Sequence, residues 1–268
     1  MALAKKRRPA TARKKADPDY MLSLARGLAV IRAFGRGAEK VSTAEVARQI
    51  GVSRAAARRC LHTLTVLGYV AGAEGQYRLT PRVLALAHAY LGSDAVPRAA
   101  QPVLEGVADR LHESCSLSVL DGDEIVYVAR ASTRRILTIG LSVGSRLPVY
   151  CTSMGRVLLA FASDSERSVY LSRVRPVRHT PRTIADREDL RAEIERVRAQ
   201  GYAIVDQELE IGLRSLAVPV RRQDQSVVAA INVGVQATRV ERDTMVREYL
   251  PVLQAAAEEI GFAIGHLR

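Results

Sequence analysis

Gly51-Val52-Ser53-Arg54-Ala55-Ala56-Ala57-Arg58-Arg59 is a turn running into a helix start, with a Ser placed to cap it. Before it, Ser42 can cap a short helix from Thr43 to Ile50, with Val46, Ala47 and Ile50 facing inward and Glu45 and Arg48 outward. After it, the helix opened by Arg54 is expected to reach about Leu67. At about 100° per residue, Ala57, Cys60, Leu61, Leu64 and Leu67 share one arc, which should pack on the first two helices. Arg54, Ala55, Arg58, Arg59 and His62 share the opposite arc. Small residues among arginines let a backbone approach bases while guanidiniums reach phosphates or guanine edges. A short helix, a tight turn and a capped basic helix together predict a helix-turn-helix.

The flanking sequence extends this motif. Tyr20 to Phe34 reads as a helix with Leu24, Leu28 and Ile31 at i, i+4 and i+7, ended by Gly35 and Gly37. Tyr69-Val70-Ala71 and Gln76-Tyr77-Arg78-Leu79 enclose a Gly-bearing turn and predict a hairpin, the wing, with Arg78 a candidate phosphate contact. Pro81 opens a linker helix whose stripe of Val83, Leu84, Ala87, Tyr90 and Leu91 suits packing on a partner. Gly92-Ser93-Asp94 marks a boundary. The resulting segments are a disordered basic arm over 1–19, a DNA-binding domain over 20–80, a linker helix over 81–94 and a second domain over 95–268.

Charge follows the same division. Residues 1–92 hold 17 Lys and Arg against 5 Asp and Glu, whereas residues 93–268 hold 23 against 23. A basic excess confined to one segment is the footprint of a polyanion partner, here double-stranded DNA. No apolar run reaches the ~18 residues of a membrane span, and the N-terminus lacks an apolar secretory segment. Cys60, Cys115 and Cys151 form no CxxC pair, so neither a disulfide framework nor a zinc site is expected, and a reducing cytoplasm is the simplest compartment. No cofactor is implied. His62, His88, His112, His179 and His266 show no HExxH spacing, and neither GxSxG nor a phosphate loop is present, which argues against an enzyme. A Cys151–His179 couple is the one nucleophile–base pair that can be imagined.

The second domain mixes helices and strands without a regular βαβ repeat, which predicts an α+β domain with an antiparallel sheet. Helices are expected over Pro102–His112, Met154–Ala162, Asp186–Gln200 and from about Val240 onward. Strands are expected over Ser116–Leu120, Ile125–Ala129, Leu137–Val143, Tyr202–Val205, Ser215–Val220 and Val227–Val235. Pro148-Val149-Tyr150-Cys151 leads into Thr152-Ser153-Met154-Gly155-Arg156, where a helix begins. A helix N-terminus can hold a carboxylate; Thr152 or Ser153 can add a hydroxyl, and Gly155 can let a ligand approach the backbone.

These residues carry a resemblance over nearly the whole chain. Ser23 to Val30, Gly51 to Arg59 and Tyr77-Arg78-Leu79-Thr80-Pro81 resemble the DNA-binding domain of IclR-type transcriptional regulators. Leu120 to Arg130, Thr152 to Ala160, Gly201 to Glu210 and Gly212-Leu213-Arg214-Ser215 resemble that family's effector domain. The segments look most like the subfamily controlling aromatic-acid catabolism by the β-ketoadipate route. The resemblance implies a winged helix-turn-helix, a linker helix and a GAF-like effector domain, paired as a homodimer or dimer of dimers on a palindromic promoter site. DNA would be read by Ser53, Arg54, Ala55, Arg58, Arg59 and Arg78. A small aromatic or dicarboxylic acid would lie against Thr152, Ser153, Met154, Gly155 and Arg156. By the same correspondence the facing wall would come from Val205 or Asp206, Leu213, Ser215, Asn232 and Gly234. Arg134, Arg135, Arg146 and Arg156 are candidate carboxylate partners. Cys151 stands where the family more usually has a small residue such as Ala, and Cys60 replaces an aliphatic one; a redox-responsive repressor of the same fold is the alternative.

Overall fold

The structure, a computed structural model, describes residues 18–34, 40–73, 75–132 and 140–266. Nearly all of the basic arm, Gly35, Gly37, Arg134 and Arg135 lie outside the described residues. The chain divides between Ala89 and Tyr90 into two compact units.

The first unit contains α1 (Leu22–Ala33), β1 (Val41–Ser42), α2 (Thr43–Ile50), α3 (Arg54–Val66), β2 (Val70–Ala73) and β3 (Gln76–Leu79). Its three strands are ordered β1-β3-β2. Ser42 and Glu45 form a reciprocal capping box on α2, the Ser42 amide donating to the Glu45 carboxylate at 2.7 Å. Gly51 ends α2 at φ 70°, a left-handed conformation that favours glycine. Two residues later the Ser53 hydroxyl accepts from the Ala56 amide at 3.2 Å and starts α3. The turn between the two helices is therefore set by local chemistry alone. In the wing, a Cβ on Gly72 would lie 2.1 Å from the Gln76 carbonyl oxygen, so β2 and β3 approach closely only with glycine there.

The core of this unit joins Val30, Ala33 and Phe34 to Val46, Ala47, Ala57, Leu61 and Leu64. The Leu24 and Leu28 spacing that marks α1 as a helix does not mark its buried face. Leu24 and Leu28 are 59% and 46% exposed, and the buried face is Val30 and Ala33. Both stripes satisfy helical spacing, and only packing on α2 and α3 together distinguishes them. Leu67, expected on the buried arc of α3, is 51% exposed and Cys60 is half-buried. After a single 3₁₀ turn, Pro81–Val83, α4 (Leu84–Ser93) crosses the division between the units.

The second unit opens with α5 (Ala95–Leu111), capped by Asp94 and longer than its sequence pattern suggested because it accommodates Pro102. β4 (Ser114–Asp121), β5 (Glu124–Ala131) and β6 (Arg146–Pro148) follow, then α6 (Ser153–Ala160), α7 (Asp164–Arg173) and α8 (Arg187–Gln200). β7 (Ala203–Asp206), β8 (Leu213–Arg221) and β9 (Val227–Gln236) complete the sheet. The chain ends in α9 (Arg242–Thr244), a π turn over Met245–Tyr249, and α10 (Leu250–His266). The expected strand from Leu137 is not found: its described part, from Gly140 to Val143, is irregular.

The sheet is antiparallel throughout, in the order β6-β5-β4-β9-β8-β7. Alternation along its strands separates two faces. Cys115, Leu117, Leu216, Val218, Ile231 and Val233 pack under α5 and α10. Ile125, Tyr127, Ala217 and Ala230 pack with α6, α7 and α8 on the other face. Ser42→Ala should lower the stability of the first unit by about 1 kcal/mol through loss of the α2 cap. Urea unfolding of the full chain, followed by circular dichroism, measures this.

Candidate functional site

A cavity of about 50 Å³ lies between the α6 face of the sheet and the start of α6. Its floor is built from the residues that alternation leaves on that face: Ser114 and Ser116 of β4, Asn232 and Gly234 of β9, Leu213 and Ser215 of β8, and Val205 of β7. Register aligns them in rows, Arg130 beside Ser116 beside Asn232, and Ser114 beside Gly234 beside Ser215. These side chains are mostly small, which leaves space where the opposite face is filled by Leu, Val and Ile. Cys151, Thr152, Ser153 and Met154 form the roof, and Leu141, Leu147 and Leu209 supply apolar walls.

Three polar atoms lining this cavity are buried without a hydrogen-bond partner: Ser153 Oγ, Asn232 Oδ1 and Arg130 Nε. Leaving a buried polar atom unpaired costs about 1–3 kcal/mol, so three converging on one cavity mark a place for a polar ligand. Hydroxyl, amide and guanidinium groups line the site, and among the described residues no carboxylate does. Its chemistry is that of an anion or acid site with an apolar wall.

Eight of the eleven residues that the sequence pointed to line the cavity: Thr152, Ser153, Met154, Val205, Leu213, Ser215, Asn232 and Gly234. Three do not. Gly155 faces the preceding loop, where a Cβ would lie 2.3 Å from the Val149 carbonyl oxygen. It is a packing glycine, not an approach for a ligand. Asp206 bonds the Arg214 guanidinium at 3.0 and 3.1 Å and pairs with Arg182 at 3.3 Å. Burial pushes the Asp206 carboxyl upward, but the hydrogen bonds from Arg214 and Gln207 and the Arg214 and Arg182 charges outweigh it and hold it below its ordinary value.

Arg156 is the third, and it is 1% exposed. Its Nε donates to the Tyr150 carbonyl at 2.9 Å, while its terminal nitrogens meet Glu193 of α8 at 3.4 Å and Glu208 at 2.7 Å. Glu208 also accepts from the Ile184 amide at 2.9 Å. With both carboxylates engaged, Arg156 anchors α6 to its surroundings and does not face the cavity. Arg146 is likewise committed, to Asp121 and Glu124 at 2.7 Å each.

Among the described residues the cation that lines the cavity is Arg130, which the sequence reading did not single out. A β-bulge explains why. Leu117 pairs with Ala129 but Ser118 pairs with Tyr127, so Val128 is an extra residue on β5. Val128 and Ala129 both join the α5-side core, and Tyr127 and Arg130, three positions apart, reach the same cavity. Strict alternation would send them to opposite faces.

The imagined Cys151–His179 couple is not formed. His179 Nε2 lies 2.7 Å from the Tyr150 hydroxyl and its ring stacks on that of Tyr150. Burial pushes the Cys151 thiol up to about 12, which keeps it from the reactive thiolate form near neutral pH. Among the described residues no group of His, Cys, Asp and Glu is arranged to hold a metal ion, and no helix is long and apolar enough to cross a membrane.

In the first unit, α3 presents two solvent faces. Arg54, Ala55, Arg58 and His62 are exposed along one, and Arg78 is exposed on β3. Arg59 is turned away from Arg58 and borders an apolar groove formed by Met21, Leu24, Leu28, Cys60, Thr63 and Leu67. Ser53 is spent in capping.

Comparison with known proteins places this geometry. The helix-turn-helix domain of IclR proteins matches residues 23–72, and the C-terminal domain of the bacterial transcriptional regulator IclR matches residues 88–262. The chain belongs to the IclR family of transcriptional regulators. It is a DNA-binding regulator of transcription. The Pca regulon regulatory protein of Pseudomonas putida is 48% identical over 91% of this chain and 84% of that protein. A transcriptional regulator from a Rhodococcus species has a solved structure with 46% identity and TM-score 0.81, covering 93% of this chain and all of that one. An IclR homologue from Microbacterium hydrocarbonoxydans, solved in complex with 4-hydroxybenzoate, is 28% identical with TM-score 0.77 and covers 90% of this chain and 98% of that one.

Two outcomes test this geometry. Arg156→Ala leaves the buried Glu208 without its counter-charge, while Glu193 keeps Arg196 at 2.6 Å, and should cost about 3–5 kcal/mol, read as a lowered thermal midpoint. Iodoacetamide at about pH 8 should label native protein at the half-buried Cys60 and spare Cys115 and Cys151, as read by peptide mass spectrometry.

Proposed function

We propose that this regulator controls genes of aromatic-acid catabolism and that a small organic acid, bound in the second unit, sets its affinity for the promoter or its activation of it. The observation that carries this reading is the cavity with three unpartnered polar atoms and, among the described residues, no carboxylate. The similarity to the Pca regulon regulatory protein and to a homologue holding 4-hydroxybenzoate directs it to hydroxylated benzoates and the dicarboxylates formed from them.

Residues 20–80 supply the DNA contacts, 81–94 the connection and 95–268 the sensing. Arg54 and Arg58 read base edges from the exposed face of α3, with Ala55 permitting close approach. Arg78 on the wing and the basic arm add phosphate contacts, while Ser53 acts through the helix start and Arg59 from the margin. The protein works in the cytoplasm on a palindromic site as a homodimer or a dimer of dimers. Exposed Leu24 and Leu28 of α1 and Leu67 after α3 offer the apolar surface for pairing within the first unit, and Leu84 and Leu86 are further exposed apolar residues of that unit on α4.

Isothermal calorimetry with 4-hydroxybenzoate, protocatechuate and β-ketoadipate is the direct test. At least one should bind, and silence from all three sinks the acid-sensing reading. Arg58→Ala should weaken promoter binding by about 1–3 kcal/mol if it contacts a base. Unchanged promoter affinity after joint replacement of Arg54 and Arg58 by Ala refutes the recognition-helix assignment. Leu28→Glu should shift the protein toward monomer in light scattering.

A further inference from the structure

We infer that Arg130 is the anchor for the effector's carboxylate, and that the β-bulge at Val128 is the device that delivers it. This rests on reading the cavity as an organic-acid site and says which group of the chain selects the acid. The guanidinium is held from one side: its Nη1 donates to Ser116 Oγ at 2.8 Å on the adjacent strand. Its Nε is buried and has no partner. No carboxylate among the described residues pairs with it, whereas Arg146, Arg156 and Arg214 each have one.

A cation partly withdrawn from water without a counter-ion is unfavourable unless an anion is supplied. Burial lowers the Arg130 pKa, and the neighbouring ionisable groups that act on it are Tyr127 and Cys115, both neutral at ordinary pH. The missing negative charge is therefore external. Asn232 lies two strands along the same row, with a second unpartnered atom, so a ligand whose carboxylate meets Arg130 can extend across Ser116 toward β9. The planar guanidinium and its fixed N–H directions suit a carboxylate better than a single hydroxyl or carbonyl.

The test pairs charge on the protein with charge on the ligand. Calorimetry compares 4-hydroxybenzoate, protocatechuate and β-ketoadipate with their neutral carboxamides on the full-length wild type, Arg130→Gln and Arg130→Lys. For the acid that binds best, Arg130→Gln should weaken binding about 10- to 100-fold, the range of a hydrogen bond to a charged group. It should weaken the matching amide several-fold less, so that the preference for acid over amide collapses. Arg130→Lys should recover part of that preference. A native circular dichroism spectrum and a single cooperative melt for each variant show that the fold is intact. Equal losses for acid and amide would assign Arg130 a structural role and overturn the inference. So would an unaltered acid affinity in a folded Arg130→Gln. If no acid binds the wild type, the acid-site reading itself fails and the anchor falls with it, an outcome distinct from the other two.

Discussion

The arrangement of the second unit depends on one buried guanidinium. Arg156 sits in the first turn of α6 and is paired with Glu193 on α8 and Glu208 beyond β7. Charges withdrawn from water tolerate little displacement, because a lost partner leaves an uncompensated ion. Both sides of the cavity are tied to this pair. Met154, two positions before Arg156, forms part of the roof, and Leu209, next after Glu208, forms part of the wall. Arg156 shapes the binding site from behind it.

The cavity itself follows from unequal side-chain size on the two faces of one sheet. Cys115, Leu117, Val233 and Val235 fill the space beneath α5 and α10. Their neighbours Ser114, Ser116, Asn232 and Gly234 leave room beneath α6. A single extra residue in β5 then adds a positive charge to a surface otherwise neutral among the described residues. The site is thus largely preformed by strand register, and the hydroxyls on its floor are held by rigid elements.

The first unit gains its specialisation from the two exposed faces of one helix. Arg54 and Arg58 border the face free to meet a polyanion, and Cys60 and Leu67 border an apolar groove against α1. Two kinds of partner can therefore be met by the same thirteen-residue helix. The concentration of positive charge in the first third of the chain adds long-range attraction, which steers association without choosing a sequence.

Much of this was legible from residue order. The capping box at Ser42, the left-handed turn at Gly51 and the cap at Ser53 are local, so nine consecutive residues and their immediate flank determine the helix-turn-helix by themselves. Short runs of strand-forming residues likewise located β8, β9 and the β4–β5 pair, and the family resemblance pointed to the start of α6 as part of the pocket. Tertiary structure decided what local patterns leave degenerate. The stripe through Leu24 and Leu28 and the stripe through Val30 and Ala33 are equally helical, and only the core shared with α2 and α3 buries the second. Arg156 and Arg130 are both arginines near the site; one is consumed by two distant carboxylates and the other is turned inward by a bulge. Periodicity records which side chains share a face. It cannot record a partner supplied by a segment some fifty residues away, as Glu208 is to Arg156, or a shift of register that depends on the neighbouring strand.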